Sequence, residues 1–304
     1  MIKTTTTKTI FLIGFGDVAK RAVFFLRKTR LVKEIKLFAL VRRMSTLLQS
    51  EFPEVRFIQA DLDDPYLIHH MELKRLFKLT DLIIYLAPPP TQGQTDPRLK
   101  KIVSLYTSSH PKKQRKIIYI STTGVYGHCF GAFVKETQPV LPQTARAMRR
   151  VHAELLLRQK VRERLFDFNI LRVPGIYACD RLPVARLEQK LPVIFHEEDS
   201  YTNHIHAEDL ARSLFYCACF GKKRRTYHIV DESQLKMGEY FDQVAHFLNL
   251  PLPPRVSREA IQTLLSPMQL SFLNESRRIQ NTRLKKELRI RLCFPEVSPE
   301  SLSV

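Results

Sequence analysis

The stretch TIFLIGFGDVAKRAVFFLRK, residues 9–28, decides the fold. Its first six residues predict a buried β-strand, the glycines that follow predict a tight turn, and the later apolar spacing predicts an amphipathic helix. Gly14 permits the turn, Gly16 lets the backbone approach a bound pyrophosphate, and Ala19 stands where the helix packs on the strand. The amino end of such a helix offers free N–H groups to phosphates. The predicted phosphate-binding loop comprises Gly14, Gly16, Asp17, Val18 and Ala19.

Strand-like runs alternate with helix-like stretches over the first 175 residues. The strand-like runs are TIFLIG (9–14), IKLFALV (35–41), VRFIQA (55–60), DLIIYLA (81–87), KIIYIS (116–121) and FNILRV (168–173). The helix-like stretches lie near 17–30, 62–78, 96–109 and 143–165. Parallel strands need crossover connections, so this order predicts an α/β protein with a doubly wound parallel sheet, the Rossmann fold.

After residue 175 the pattern becomes less regular and predicts a smaller, mostly helical C-terminal substrate lobe. One strand-like run remains at 225–231, and the helix-like stretches lie near 206–219, 236–249 and 257–291. We expect residues 1–175 to form a dinucleotide-binding domain to which residues 203–232 return. Residues 176–202 and 233–304 would then form the lobe over the carboxyl edge of the sheet.

The composition of the 304 residues narrows the classes of function. With 44% hydrophobic residues the chain can bury a sizeable core, and no apolar run approaches the roughly 18 residues of a membrane span. Its net charge of +19 is spread along the chain without aromatic residues between the basic runs, which disfavours nucleic acid and favours small anions. The start lacks the pattern of a signal peptide, so we expect a cytoplasmic protein without membrane contact. Its five scattered cysteines predict buried, reduced thiols.

Two arginines follow the second predicted strand, where an NAD site needs a carboxylate for the ribose hydroxyls. Arg42 and Arg43 suit the 2′-phosphate of NADP through charge-assisted hydrogen bonds, which predicts NADP rather than NAD; a solvated basic turn is the alternative. Asp61 closes the third strand, where it either meets the adenine ring or caps the following helix. The other candidate cofactor-binding residues are Leu62, Leu86, Ala87, Pro88 and Pro174.

Six phrases, in order along most of the chain, resemble the extended short-chain dehydrogenase/reductase superfamily. They are GFGDVA (14–19), ADLDD (60–64), YLA (85–87), ISTTGVYG (120–127), LRVPGIY (171–177) and NHIHAEDLARSL (203–214). The resemblance implies an NAD(P)-dependent enzyme of the epimerase/dehydratase family, whose members act mostly on nucleotide sugars. ESRRIQNTRLKKEL (275–288) and RAMRR (146–150) look like an atypical branch, the YeeZ-like proteins.

The resemblance also implies the active-site positions, and there the sequence departs from the family. Thr122 matches the catalytic hydroxyl, but the position of the catalytic tyrosine falls on Arg146 and that of the lysine on Arg150. Arginine is not deprotonated in proteins, so Arg146 can stabilise charge or hold an anion but cannot transfer a proton. Arg150, one helical turn further, still suits the cofactor ribose; a solvated helix face is the alternative for both arginines. Tyr126, His128 and Tyr177 are candidates for the missing proton transfer; packing beside the pocket is the alternative for Tyr126, and simple exposure is the alternative for His128.

Two functions remain open at this point, and nucleic-acid binding stays as a minor third hypothesis. The first is an NADP-dependent oxidoreductase or epimerase that acts on an anionic substrate, with a nucleotide sugar as the class that the resemblance suggests. The second is a non-catalytic NADP(H)-binding sensor, which the missing tyrosine and lysine favour. The resemblance also suggests a homodimer, because related proteins often pair through the helices near 96–109 and 143–165.

A possible metal cluster, H-x-H-x-x-D, occurs at His204, His206 and Asp209. Its place at the junction of a strand and a helix predicts helix capping, and we expect no metal site.

Overall fold

The computed structural model describes residues 8–109, 115–162 and 166–304. The strands are β1 Lys8–Ile13, β2 Ile35–Val41, β3 Val55–Gln59, β4 Leu82–Tyr85, β5 Arg115–Thr122, β6 Phe133–Val134, β7 Phe166–Val173, β8 Gly175–Tyr177, β9 Val193–Ile194, β10 His204–His206, β11 Arg225–His228, β12 Arg255–Val256 and β13 Arg278–Ile279. The helices are α1 Asp17–Lys28, α2 Thr46–Glu51, α3 Met71–Leu79, α4 Pro97–Ser108, α5 Ala145–Arg162, α6 Val184–Glu188, α7 Ala207–Phe220, α8 Met237–Phe247, α9 Ile261–Leu264, α10 Pro267–Leu273, α11 Thr282–Lys286 and α12 Pro299–Leu302.

The main sheet has seven parallel strands in the order β3-β2-β1-β4-β5-β7-β11. The chain builds outward from β1 through β2 to β3, then returns to the other side of β1 and builds outward again. This order confirms the predicted doubly wound sheet. It also puts the change of direction between β1 and β4, and such sheets bind ligands at the carboxyl ends of the strands on either side of that point.

The two faces of the sheet are covered by separate apolar layers. Alternate residues of β1 point to opposite sides, so Leu12 belongs to the layer that contains α1 and α7, and Phe11 to the layer that contains α3, α4 and α5. Every residue of β7 is buried, including the polar side chains of Asp167, Asn169 and Arg172. The strand ends at the carboxyl edge are therefore held on both sides by packed helices.

Small strand pairs organise the last third of the chain. Short parallel pairs form between β8 and β10, β9 and β12, and β6 and β13. The pair of β6 and β13 extends through backbone hydrogen bonds from Arg278 to Ala132 and from Gln280 to Val134. These contacts tie the segment around residue 278 to the loop that follows β5.

Three predictions of local structure need correction. The helix expected over 257–291 is wrong: Ser266 caps a new helix at Pro267, and β13 interrupts the rest because its backbone pairs with β6. The helix expected over 62–78 begins only at Met71, and α2 was not predicted. The prediction near 143–165 ends in residues 163–165, outside the described residues.

The described helices include none that is long and apolar enough to cross a membrane. All five cysteines are free, and the expectation of buried thiols is wrong for three of them. Cys217 is buried, whereas Cys179, Cys219 and Cys293 are exposed.

Candidate functional site

A groove of 420 Å³ lies at the carboxyl ends of β1 to β4 and collects most of the predicted cofactor-binding residues. Those that line it are Gly14, Gly16, Arg42, Arg43, Asp61, Leu62, Leu86, Ala87 and Pro88. Sequence reasoning missed Phe15, Leu48 and Arg98, which also line it. The groove is where the topology of the sheet leads one to expect a ligand.

Gly14 forms the turn after β1 under a tight steric constraint. Its φ is +95°, and a Cβ there would lie 2.9 Å from the backbone nitrogen of Ala87. The N–H groups of Leu86 and Ala87 both donate to the Ile13 carbonyl, at 2.9 and 2.8 Å, and so hold the chain after β4 against this turn. Only glycine fits this position without strain.

Gly16 opens the amino end of α1 to a ligand. It is exposed, it provides no side-chain cap, and a Cβ there would have no neighbour within 4 Å. The first-turn N–H groups of the helix therefore face open space, as a bound pyrophosphate requires. Asp17 begins the helix, but its carboxylate pairs with Arg21 and Arg181, both at 2.9 Å, which offsets its negative charge. Val18 is half-buried and Ala19 is buried against the core.

The far end of the groove carries positive charge without a partner. Arg42 and Arg43 are exposed and form no hydrogen bond or salt bridge with any described residue. No carboxylate occupies the end of β2, which finishes Ala39-Leu40-Val41. An anionic group entering this end of the groove would meet two exposed guanidinium groups, of which Arg42 also lies close enough to Asp63 to help lower the pKa of that carboxyl group.

Asp61 caps a turn at the floor of the groove. Its carboxylate accepts a hydrogen bond of 2.9 Å from the N–H of Asp63. The alternative that Asp61 caps the next helix is wrong, because α3 begins ten residues later and its cap is His70. Arg98 stabilises the same wall: it donates to the Asp63 carboxylate at 2.7 Å and to the Pro88 carbonyl at 3.0 Å.

A second cavity, of 230 Å³, lies at the carboxyl ends of β5 and β7. Thr122, Arg146 and Pro174 line it, so Pro174, predicted to contact the cofactor, lies here and not in the groove. Strands β4 and β5 are neighbours, with Tyr85 opposite Tyr119, and the residues after β4 therefore lie beside the end of β5. The cavity and the groove are thus adjacent at the same edge of the sheet.

The two arginines of α5 have different surroundings. The guanidinium group of Arg146 stacks on the ring of Phe272 at 4.2 Å and forms no hydrogen bond or salt bridge with a described residue. Burial lowers the pKa of Arg146, while the nearby Glu275 opposes this effect. Arg150 instead donates to the Tyr119 hydroxyl at 3.1 Å and to the Ile120 carbonyl at 2.8 Å, which ties it to β5.

Thr122 ends β5 with its hydroxyl at the cavity. Its Oγ1 accepts a hydrogen bond of 3.2 Å from the N–H of Gly124, which starts the turn of Gly124-Val125-Tyr126. This bond fixes the side chain and leaves its O–H free to donate to a bound oxygen.

Tyr126 belongs to a buried network and does not line the cavity. Arg172 donates to its hydroxyl at 2.5 Å, and the hydroxyl lies 2.5 Å from Nε2 of His228. His228 Nδ1 faces the Gln280 carbonyl at 2.8 Å and must carry the ring proton, because a carbonyl only accepts. Nε2 is therefore the acceptor, and the Tyr126 hydroxyl donates a hydrogen bond to it. Burial raises the pKa of Tyr126 to about 12.

The cavity also contains an acidic residue that sequence reasoning missed. Glu275 and Arg277 line it and pair with each other at 2.8 Å. Glu275 is only 8% exposed, yet its Oε1 has no hydrogen-bond partner. Both residues belong to the phrase ESRRIQN (275–281), which supported the resemblance to the YeeZ-like proteins but predicted no role for either residue.

The histidines and aspartate of the H-x-H-x-x-D motif have structural contacts. His206 caps α7 by accepting from the N–H of Glu208 at 3.3 Å, and Asp209 accepts from the N–H groups of Cys293 and Phe294 at 3.0 and 2.8 Å. No group of three potential ligands is placed to hold a metal ion in the part of the chain that the structure describes.

No protein-family model matches the sequence, and no curated protein matches it. Solved structures do match along the whole chain. A conserved protein of unknown function from Silicibacter pomeroyi has 25% identity and a TM-score of 0.77, covering 97% of this chain and 98% of its own. A dTDP-glucose 4,6-dehydratase from Streptomyces venezuelae, with NAD bound, has 17% identity, a TM-score of 0.75 and coverage of 97% and 94%.

A UDP-glucuronic acid 4-epimerase from Bacillus cereus, in complex with NAD, has 14% identity and a TM-score of 0.72, covering 97% of this chain and 96% of its own. These matches cover 97% of this chain and therefore extend beyond the seven-stranded sheet into its last third. The chain therefore has the fold of the NAD-dependent epimerases and dehydratases of nucleotide sugars.

Proposed function

We propose that this protein is an NAD(P)-binding oxidoreductase or epimerase that prefers NADP and acts on an anionic substrate. The observation that carries the proposal is the groove, in which an open glycine turn and a free helix end lie at one side and two unpaired arginines at the other. The turn and the helix end fit a pyrophosphate, and Arg42 and Arg43 suit a 2′-phosphate. A nicotinamide cofactor, when bound, supplies a centre that accepts or returns a hydride.

The substrate would bind in the adjacent cavity. Thr122 would donate a hydrogen bond to the reacting oxygen, and Arg146 would hold a carboxylate or phosphate as a fixed cation. Arg150 would act indirectly, because its bonds to β5 position the end of the strand that bears Thr122. Nucleotide sugars are the substrates named for several structural neighbours, and they supply the first class to screen.

Titration calorimetry with NADPH and NADH tests the cofactor assignment. A hydrogen bond to a charged group contributes about 1.5–3 kcal/mol, so we expect NADPH to bind about tenfold to a hundredfold more tightly than NADH. The double variant Arg42→Ala/Arg43→Ala should lose this preference. Arg75→Ala is the matched control, because Arg75 is exposed on α3, away from the groove. Equal affinity for both cofactors in the unmodified protein would contradict the NADP assignment, and binding of neither would contradict the function.

The second candidate is a sensor of NADP(H) without turnover. The position of Tyr126 favours the sensor, because its hydroxyl donates a hydrogen bond to His228 in the core and does not reach the cavity. Arg146 cannot transfer a proton either, because arginine is not deprotonated in proteins. Oxidation of NADPH in the presence of carbonyl compounds separates the two candidates. Sustained turnover excludes the sensor, whereas tight binding without turnover supports it.

Four further expectations accompany the proposal. The division into a Rossmann domain (1–175, with 203–232) and a lobe (176–202 and 233–304) stays a prediction, as do a homodimer and a cytoplasmic location. Membership of the YeeZ-like branch rests on the two phrases given above.

A further inference from the structure

If the cavity is the substrate site proposed above, neither Arg146 nor Tyr126 can move the proton that the reaction requires. Arg146 stands where the resemblance implies the catalytic tyrosine, and the Tyr126 hydroxyl donates its hydrogen bond to His228 in the core. An oxidation at a carbinol carbon releases one hydride and one proton, so a second acceptor is needed beside the nicotinamide. The acceptor must lie within reach of the oxygen that Thr122 contacts.

One point in the cavity lies close to both a hydroxyl and a carboxylate. A Cβ built on Gly124 would be 3.6 Å from Oγ1 of Thr122 and 3.8 Å from Oε2 of Glu275. That point is a bond length from Cα of Gly124, so no substrate atom stands at it, but residue 124 is glycine and leaves the side facing both groups open. A substrate oxygen on this open side of Gly124 would face both groups, which is the arrangement that acid–base catalysis requires.

The surroundings of Glu275 also indicate a missing partner. Oε2 accepts a hydrogen bond from Arg277, but Oε1 is buried without one. A buried polar atom that lacks a partner costs free energy, and such atoms are rare in proteins. The nearby cation Arg146 does not fill this role, since it forms no salt bridge with Glu275 in the described structure. A substrate hydroxyl would provide the missing donor.

We propose that Glu275 is the catalytic acid–base residue of this site. As the carbinol carbon gives its hydride to oxidised NADP, the O–H bond breaks and its proton passes to the Glu275 carboxylate. The products are a carbonyl compound, NADPH and a protonated Glu275. In the reverse direction the carboxyl group returns the proton to the oxygen, and Thr122 donates a hydrogen bond to that oxygen throughout.

Binding selectivity tests the proposal without turnover. The probes are 3-hydroxybutyrate and butyrate, which differ by the hydroxyl, titrated into protein saturated with NADP. Because its hydroxyl would donate a hydrogen bond to the buried Glu275 carboxylate, we expect 3-hydroxybutyrate to bind at least about tenfold more tightly than butyrate. Glu275→Leu should abolish this selectivity and keep the affinity for NADP, because Glu275 does not line the groove. Absence of selectivity in the unmodified protein, including failure of both acids to bind, overturns the proposal.

Turnover of acetoacetate with NADPH provides the second test. Glu275→Gln keeps an oxygen that can accept the hydrogen bond from Arg277, so it should fold even if Glu275→Leu does not. Its amide group cannot carry the proton. We expect its rate to fall about a hundredfold or more. Glu188→Gln, at an exposed position on α6, is the matched control. Tyr201 also lines the cavity, and loss of turnover in Tyr201→Phe with retention in Glu275→Gln would assign the proton to Tyr201.

Failure of this proposal is distinguishable from failure of the proposed function. If NADP does not bind the unmodified protein, both fall. If NADP binds but Glu275→Leu keeps the selectivity of the parent, the cofactor function stands and Glu275 has a structural role. Gly124→Ala adds an independent readout: its contacts are ordinary in length, so it should fold and bind NADP, but its methyl group should block the hydroxy acid. Unchanged binding of that acid would contradict the position assigned to the reacting oxygen.

Discussion

Substituting alanine for each of two neighbouring glycines should separate the fold of the loop from its binding function. At Gly14 the φ of +95° and the 2.9 Å approach to the Ala87 nitrogen both oppose a side chain. The positive φ costs a non-glycine residue about 1–2 kcal/mol, and forcing an extra methyl into packed structure costs about 1–3 kcal/mol. We therefore expect Gly14→Ala to lower the free energy of unfolding by about 2–5 kcal/mol.

At Gly16 the same substitution should cost much less stability. Its φ of −92° and ψ of −163° are open to any residue, and the new methyl group would face space without a neighbour. Gly16 is the N-cap residue of α1, where glycine is preferred to alanine, so the replacement costs about 0.5–1 kcal/mol. The methyl would, however, keep a pyrophosphate from the first-turn N–H groups. Loss of one such charge-assisted hydrogen bond weakens binding of NADPH by about tenfold or more.

Urea unfolding and calorimetric titration with NADPH measure the two effects. Gly93→Ala is the matched control, since Gly93 has a φ of +75° but open space around it, and lies outside the groove. It should show the cost of the backbone strain alone, with unchanged affinity. The reasoning is refuted if Gly16→Ala binds NADPH as tightly as its parent, or if Gly14→Ala is no less stable than Gly93→Ala.

Two further predictions concern buried titratable groups. Burial lowers the pKa of His204 to about 3 from an unfolded value of 6.5, so its neutral form stabilises the fold above pH 6.5 and that stability is lost as pH falls toward 3. Between pH 7 and 5 the unmodified protein should lose about 2 kcal/mol more than His204→Phe in urea unfolding, whereas the exposed-site control His69→Phe should match its parent. Glu154 and Arg172 form a buried pair at 2.6 Å. Glu154→Leu should therefore cost about 3–5 kcal/mol, most of it recovered in Glu154→Leu/Arg172→Met, and equal losses in both variants would contradict this account.

The main sheet could be predicted because local runs of apolar residues mark its strands. Runs such as Leu82–Tyr85 are apolar throughout, since both faces of a parallel sheet are covered by helices. The positions of α1, α4 and α5 followed from the spacing between these runs, whereas α2 was not predicted and α3 begins later than expected. The segment 257–291 could not be predicted in this way, because β13 owes its form to a pairing with β6, more than 140 residues earlier in the chain. Local propensity carries no information about such a partner.

The groove was predictable for the same topological reason. Its residues follow the ends of consecutive parallel strands, and those ends meet at one edge whatever the details of packing. The cavity was less accessible to sequence reasoning. Tyr126 follows a strand end too, yet the buried Arg172 and His228 take up its hydroxyl. Glu275 reaches the cavity from a segment whose path depends on the pairing of β6 with β13, and only the phrase ESRRIQN pointed to it.

Arg146 stands where the resemblance implies a catalytic tyrosine, so other groups must balance its positive charge in the cavity. Its lining contains two guanidinium groups, Arg146 and Arg277, and one carboxylate, Glu275, while burial keeps His204 neutral near pH 7. Arg277 balances Glu275 through their salt bridge, so Arg146, which has no salt bridge with any described residue, remains a half-buried cation that Glu275 stabilises only from a distance. Such a charge is costly until an anion arrives. A substrate that presents one negative charge to Arg146 and one hydroxyl to Glu275 would satisfy both unpaired groups at once.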